Sequence, residues 1–184
     1  TYATGIAVNS IPPLKGGSSI GIPSPPAILM PDGLVGTPDI RDAEKFQGFP
    51  SDWTLVEDVK KKSYRWKLIG NAVSVNVAEW LGEKFIRPEK YYWENDQRFS
   101  SEKWPNAAWN MGKGRYVSTA TMSPINRNTV CLQDFLLHDL KPLSEKATKG
   151  FLKRAQKGNL NFPEGFLERL DLHLRNTSMW GKAA

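Results

Sequence analysis

Two short apolar blocks, Gly5–Val8 and Ala27–Met30, have the length of strands and predict strands within residues 1–36. Six prolines occur from Ser10 to Pro31. They exclude a helix in this stretch, because proline cannot donate a main-chain hydrogen bond and its ring disrupts a helix. The triplet Pro31-Asp32-Gly33 is typical of a turn. The chain therefore begins with strands and loops.

A helical pattern begins after this region and predicts a first helix over residues 39–47. Thr37 is suited to the N-cap and Pro38 to the first helical position, because proline lacks only an amide that would be unpaired there. Gly48 is expected to end the helix. The apolar residues that share a face are Ile40, Ala43 and Phe46.

A second helix is predicted from Ser74 to Phe85, because apolar residues recur there at helical steps. Its stripe consists of Val77, Leu81 and Phe85, with Ala78 and Trp80 beside it. The pair Gly70-Asn71 precedes this helix. Such a pair is either a plain turn or a place where main-chain amides meet a ligand, and the local pattern leaves both open.

The rest of the chain is irregular and aromatic before it becomes helical. Short strands are predicted around Arg115–Ala120 and Thr129–Leu132. Ser144 is the expected N-cap of a third helix over residues 145–157, which Gly158 ends. A fourth helix is predicted from Pro163, with apolar residues Phe166, Leu167, Leu170 and Leu174 on one side. Taken alone, the chain is predicted to be mixed α+β.

Composition adds bounds to this picture. With 184 residues, 40% of them hydrophobic, the chain can form one large domain or two small ones. Its net charge of +6 is consistent with an anionic partner such as nucleic acid. Cys131 is the single cysteine, so no internal disulfide is possible and a cytoplasmic location fits. We expect neither a transmembrane helix nor a signal peptide, because no long apolar run is present.

Few side chains have the neighbours that catalysis requires. His138 and His173 lack the spacing of a triad or metal site, so both are interpreted as ordinary surface or core residues, and no metal is expected. Cys131 lies in a strand-like apolar run, which favours a small buried side chain over a reactive thiolate.

Two basic segments are candidates for contact with nucleic acid. The third helix carries a stripe of lysines that is either a solvated face or a DNA contact: Lys146, Lys149, Lys153 and Lys157. The segment KGGSSIG is either a surface turn or a DNA-contacting loop. In that loop Lys15 would neutralise a phosphate, Gly16 and Gly17 would allow close approach, and Ser18 and Ser19 would donate hydrogen bonds.

Two segments together go beyond composition. TPDIRDAEKFQGFPSDWT, followed by RWKLIGNAVSVNVAEWLG, resembles the last two motifs of the DNA cytosine-C5 methyltransferase family. The family writes the first roughly as T-P-R-E-A-A-R-L-Q-G-F-P and the second as G-N-A-V-P-V-P-V-A. Their order and spacing also match. The upstream segment, residues 4–33, resembles the end of the family's target-recognition region.

The resemblance implies transfer of a methyl group from S-adenosylmethionine to C5 of a cytosine flipped out of double-stranded DNA. It divides the chain into three parts: the end of the target-recognition region (1–36), the last two motifs (37–88) and a C-terminal extension (89–184). The closing motif implies that Asn71, Ala72 and Val73 line the cofactor. Arg41 and the Lys15–Ser19 loop are implied to contact DNA. The complete enzyme would have the α/β fold of S-adenosylmethionine-dependent methyltransferases.

This sequence departs from the family pattern at the motifs that carry the catalytic chemistry. The Phe-x-Gly-x-Gly cofactor fingerprint, the Pro-Cys catalytic loop and the Glu-Asn-Val motif are absent, and Cys131 follows Val130, after the closing motif. No catalytic residue is therefore assigned to this chain. We expect it to be the C-terminal portion or small subunit of such an enzyme, inactive alone and stabilised by an N-terminal catalytic part. The alternatives are a non-catalytic DNA-binding or interaction module derived from one, and an unrelated basic protein.

Overall fold

The computed structural model describes residues 7, 10–16, 25–57, 61–120, 130–158 and 161–180, without the side chains of 178–180. The chain divides into two compact units. The first consists of residues 1–78 and 133–184, and the second of residues 79–132. Both contain helices or small antiparallel sheets, so the prediction of a mixed α+β chain is confirmed.

The described residues form six helices and six short strands. The helices are α1 Ile40–Phe46, α2 Lys62–Asn71, α3 Val75–Ile86, α4 Leu132–Phe135, α5 Glu145–Lys157 and α6 Phe166–Trp180. The strands are β1 Ile28–Leu29, β2 Val35–Thr37, β3 Gln97–Arg98, β4 Ala108–Asn110, β5 Arg115–Val117 and β6 Lys141–Pro142. A 3-10 turn lies at Trp93–Asn95.

The first unit contains an antiparallel sheet in the order β1-β2-β6. Thr37 pairs with Lys141, so a late segment of the chain completes a sheet that begins near the start. Gly36 makes this pairing possible, because a Cβ there would lie 2.8 Å from Leu140 Cβ and 2.9 Å from the Lys141 carbonyl oxygen.

Helices α5 and α6 provide the core beneath this sheet. Val35 of β2 packs with Leu152 of α5 and Leu170 of α6, all three buried. Buried His173 links the layers, since its Nδ1 accepts a hydrogen bond from Val35 N at 3.4 Å and its Nε2 lies 3.2 Å from the Leu143 carbonyl oxygen. The interpretation of His173 as an ordinary core residue agrees with these contacts.

A second core joins α1 to α2. It consists of the buried residues Ile40, Ala43, Trp66 and Ile69. Leu14 and Phe46 pack against it while partly exposed. This places residues 10–16 beside the two helices rather than in a separate layer.

The caps of α5 agree with the sequence prediction, and the N-cap of α1 differs from it. Ser144 accepts a hydrogen bond from Ala147 N and Gly158 follows α5, as predicted. The predicted N-cap Thr37 is wrong: its main chain is held in β2, and Asp39 caps α1 by accepting from Arg41 N at 3.0 Å. The fourth helix begins at Phe166, after Gly165 with φ +73°, and not at Pro163.

The second unit contains an antiparallel sheet in the order β3-β5-β4. The prediction of a strand around Arg115–Ala120 is confirmed for Arg115–Val117. The prediction around Thr129–Leu132 is wrong where it can be compared: Val130 and Cys131 are not in a strand and Leu132 begins α4. Cys131 is exposed, so its predicted burial is also wrong, because no described strand encloses it.

The predicted strand at Gly5–Val8 lies outside the described residues apart from Ala7. The strand predicted at Ala27–Met30 is confirmed for Ile28–Leu29. Among the helices in the described ranges, none is long and apolar enough to cross a membrane.

Candidate functional site

The segment implied to line the cofactor is a tight connection between two helices. Asn71 is the last residue of α2, Ala72 is its C-cap with extended φ and ψ of −74° and 151°, and α3 begins at Val75. The Ala72 amide donates to the Ile69 carbonyl at 3.2 Å. Asn71 and Val73 are exposed and Ala72 is half-buried. Gly70-Asn71 is therefore not the plain turn that the sequence allowed: it completes a helix.

Gln47, at the end of α1, holds both sides of this connection. Its Nε2 donates to the Ile69 carbonyl oxygen at 3.3 Å, and its own carbonyl accepts from Val75 N at 2.8 Å. The neighbouring Gly48 has φ +84°, and a Cβ there would lie 2.9 Å from Asn76 Oδ1. The two hydrogen bonds attach the end of α2 and the start of α3 to the same residue. They therefore fix the distance that Ala72–Ser74 bridges. We call this arrangement the Gln47 clasp.

The opposite side of the connection is covered by Lys15 and Gly16. A Cβ on Gly70 would overlap the Gly16 nitrogen and the Lys15 carbonyl carbon, so only glycine allows this approach. A Cβ on Gly16 would in turn lie 2.6 Å from Asn71 Oδ1. The structure thus brings together residues that the sequence assigned to DNA contact and to the cofactor. The other members of the predicted loop, Gly17, Ser18 and Ser19, lie outside the described residues.

A buried ionic network supports α1 and α2 below the connection. Glu44, whose side chain is fully buried, accepts from Thr54 N at 2.9 Å, from Thr54 Oγ1 at 2.5 Å and from Arg65 Nη2 at 2.9 Å. Its second oxygen accepts from Asp52 N at 2.6 Å. Arg65 also donates to Asp52 Oδ1 at 2.9 Å.

These contacts decide the protonation of the network. Burial alone raises the pKa of Glu44, but the hydrogen bonds from Thr54, Arg65 and the Asp52 amide outweigh it and lower that pKa below its usual value. Burial alone lowers the pKa of Arg65, while its bonds to Glu44 and Asp52 raise it overall. The pair is therefore ionised at neutral pH, and it locks the turn 50–55 to α2.

An apolar cleft of about 200 Å³ opens beside the connection. It is lined by Phe49, Trp53, Thr54, Val56, Leu68, Ile69 and Ala72. Trp53 stacks on Phe49 with ring centroids 5.8 Å apart, yet it stays 61% exposed. The cleft offers apolar contact beside Ala72, and it is suited to the less polar part of a ligand.

Arg41 is engaged within its own helix. Its Nε donates to Asp39 Oδ1 at 2.7 Å, and this bond holds the pKa of Asp39 at about 2, against an ordinary value of 3.8. The same bond raises the pKa of Arg41. The structure thus shows Arg41 bonded to Asp39 and not to the Lys15–Gly16 segment. Its predicted contact with DNA stays a prediction.

The remaining candidates are structural or exposed. Asp42, fully buried, accepts from Leu137 N at 3.0 Å and from His138 N at 3.1 Å, so it anchors the turn after α4. Lys146, Lys149, Lys153 and Lys157 are all exposed, opposite the buried face of α5. Both interpretations of that lysine stripe stay open. Within the described residues no group of three His, Cys, Asp or Glu side chains is placed to hold a metal ion.

Sequence reasoning missed α2 and the Gln47 clasp. The buried face of α2 includes the charged Arg65 beside Trp66 and Ile69, which conceals the usual apolar periodicity. The spacing of Trp66 and Ile69 was the available signal. The clasp depends on contacts between residues more than 20 positions apart, which no local pattern records.

Two comparisons with known proteins found a match. A family model described as C-5 cytosine-specific DNA methylase matches residues 39–87, which contain α1, α2, the connection and α3. The chain is 41% identical over 174 residues to the Type II methyltransferase M2.BsuMI of Bacillus subtilis (strain 168). That match covers 91% of this chain but 44% of the relative, so the chain spans less than half of that protein's length. No solved structure matches the chain.

Proposed function

We propose that this chain, which belongs to the C-5 cytosine-specific DNA methylase family, forms the C-terminal portion or small subunit of a DNA cytosine-C5 methyltransferase. One observation carries the proposal: α3, inside the matched region, has no buried residue although it is strongly amphipathic. Its apolar stripe comprises Val77, Trp80, Leu81 and Phe85, and Phe85 is 83% exposed. An apolar surface of this kind marks an interaction site.

The occupant of the α3 stripe would be the N-terminal catalytic part of the enzyme. The relative extends over more than twice the matched length, so a larger partner is consistent with the comparison. The Pro-Cys nucleophile and the main cofactor motif are absent from this sequence. Methyl transfer by the assembled enzyme, and inactivity of this chain alone, are therefore parts of the same proposal.

S-adenosylmethionine is the proposed cofactor, and it would supply an electrophilic methyl group when bound. The residues present fit one end of it. The Asn71 side chain offers both a donor and an acceptor, as an amino-acid carboxylate and ammonium require. Ala72 and Val73 present main chain and small apolar surface beside it. The role of these residues is to bind and orient, while the Gln47 clasp keeps their spacing fixed.

Double-stranded DNA is the proposed substrate, contacted by the segment that includes Lys15 and Gly16. Lys15 would neutralise a phosphate. The main chain of Lys15 and Gly16 lies against Gly70. Movement of this segment on DNA binding would therefore also move the neighbouring residue Asn71. The cytoplasmic location expected from the sequence stays a prediction.

Reconstitution tests the proposal. The chain is mixed with an N-terminal part that carries the Pro-Cys motif, and transfer of a labelled methyl group from S-adenosylmethionine to duplex DNA is measured. Activity is expected only from the mixture. Leu81→Asp places a charge in the α3 stripe and should abolish assembly, whereas Leu172→Asp, on an exposed leucine of α6, should not.

The opposite outcome points to the second candidate. If no mixture transfers methyl groups while this chain alone retains DNA binding, a non-catalytic DNA-binding module is the better description. Equal activity of the Leu81→Asp and Leu172→Asp mixtures would remove the α3 stripe as the assembly surface.

A further inference from the structure

The second unit is organised without a buried core. None of its described residues is buried, and its three-stranded sheet β3-β5-β4 is held by main-chain pairing and by aromatic rings. A small sheet of this kind is marginal in water unless one face packs on something. The face that carries the rings is therefore the part of this unit to explain.

Three side chains form a cross-strand row on that face. Arg98 of β3 pairs with Tyr116 of β5, and Tyr116 pairs with Trp109 of β4. The Trp109 and Tyr116 rings are stacked, with centroids 4.7 Å apart and planes 17° apart. The Arg98 guanidinium lies 6.0 Å from the Tyr116 ring centroid. The row thus joins two stacked rings to a cation.

Two further rings extend the row into solvent. Trp93 meets Trp109 edge to face with centroids 5.1 Å apart, and Tyr91 meets Trp93 at 5.3 Å. Trp93 is 50% exposed and Tyr91 46% exposed, so these rings keep surface available to a ligand. We call the five residues the aromatic row: Tyr91, Trp93, Arg98, Trp109 and Tyr116.

Asp96 fixes the orientation of the row. Its carboxylate accepts from Trp109 Nε1 at 2.7 Å and from the Tyr91 hydroxyl at 2.7 and 2.8 Å. Rings held in this way lose little conformational entropy when a planar ligand stacks on them. The same bonds satisfy the hydrogen-bonding capacity of the Asp96 carboxylate.

The Arg98 cation in the row selects among planar ligands. Residues 91–116, which span the row, contain Arg98, Lys103, Lys113 and Arg115 and three acidic residues, Glu94, Asp96 and Glu102, so their net charge is +1 and Arg98 is the cation that contacts a ring of the row. Exposed rings combined with cations are the pattern that binds unpaired nucleobases: the rings stack on bases and the cations attract phosphates. A neutral sugar would gain nothing from the Arg98 cation.

We propose that the aromatic row is a binding surface for unpaired nucleobases of single-stranded nucleic acid. The row belongs to the second unit and the connection at Asn71–Val73 to the first, and the proposal is independent of the proposed methyl transfer. Its affinity combines stacking, which depends on bases, with phosphate attraction, which does not. That division makes the proposal testable with this chain alone and without cofactor.

The test measures fluorescence anisotropy of two labelled strands of about 12 nucleotides, an oligothymidylate and an abasic strand with the same phosphates. The full chain should bind the base-bearing strand on the order of 10-fold more tightly. Trp93→Ala should remove most of that preference while leaving binding to the abasic strand unchanged. Trp93→Phe should restore it. Tyr64→Ala, which removes an equally exposed ring from α2, should change neither.

A second variant tests the proposal without removing a ring from the sheet. Arg98→Gln leaves all the rings in place and should weaken binding of both strands with a shallower salt dependence. Equal affinity for the two strands in the wild-type chain would overturn the proposal. So would a preference that survives Trp93→Ala in a variant whose near-ultraviolet circular dichroism is intact. Protection of the aromatic row by the catalytic part, without any base preference, would show a protein interface instead.

Discussion

The α1–α2 pair and α3 lie side by side in the sequence, within one family-matched region, and differ in how their apolar faces are used. Ala43 and Ile69 are completely buried between α1 and α2, and an ionic network closes the same interface. Helix α3 has the clearer amphipathic pattern and buries nothing. A periodic apolar stripe therefore records that a face will be covered, but not whether the same chain covers it.

The substitution with the largest expected effect is Arg65→Leu. It leaves the Glu44 carboxylate buried without its cation, so we expect the free energy of unfolding to fall by about 3 kcal/mol or more. Urea denaturation followed by circular dichroism measures it. The matched change on α3, Phe85→Ala, should stay within about 0.5 kcal/mol because that ring is exposed. Equal losses would mean that the chain itself covers the α3 stripe.

Two glycines sharpen the same contrast. Gly70→Ala places a methyl group against the main chain of Lys15 and Gly16 and should cost about 1–3 kcal/mol. Gly82→Ala, within α3, places its methyl group where no described atom outside the neighbouring residues and backbone of α3 lies within 4 Å, and should stabilise the chain by about 0.5–1 kcal/mol. Limited proteolysis near residue 15 should accelerate in the first variant only. A stabilising Gly70→Ala would contradict the close approach described above.

The smallest expected effect concerns pH. The pKa of Asp39 is about 2 in the folded chain and 3.8 ordinarily. Since the folded value is the lower one, the stabilisation is complete above pH 4 and is lost as the pH falls towards 2. Asp39→Asn keeps a capping side chain but cannot titrate. Melting temperatures measured from pH 6 to 2 should fall less in this variant, whereas parallel curves would show that Asp39 contributes no proton linkage.

Local signals predicted the elements whose causes are local. Ser144 and Gly158 bound α5 as expected, because a cap is decided by neighbours within one turn. Asp39 displaced Thr37 as the cap of α1 because Thr37 pairs with a strand from far along the chain. Helix α2 was missed because a buried Arg65 breaks its apolar face, and only its distant partner Glu44 explains that burial.

The candidate site divides in the same way. Asn71–Val73 could be predicted as a site because its motif is continuous in sequence. The Gln47 clasp and the Lys15–Gly16 approach could not, since each depends on main-chain groups from another segment. An ordinary role could be predicted for His173 from its local sequence alone. Its hydrogen-bond partners Val35 and Leu143 could not be predicted in that way, because they lie far from it in the sequence.

The pairing of Thr37 with Lys141 has a consequence for synthesis of the chain. Strand β2 leaves the ribosome about a hundred residues before its partner β6 exists. At typical elongation rates the delay is roughly 5–20 seconds, longer than most small domains need to fold. During that interval Val35 and Gly36 have an open strand edge, and helices α5 and α6 are not yet available to cover it. The first unit is thus completed only after α6 has been synthesised, whereas the α1–α2 pair can form as soon as residue 71 has emerged.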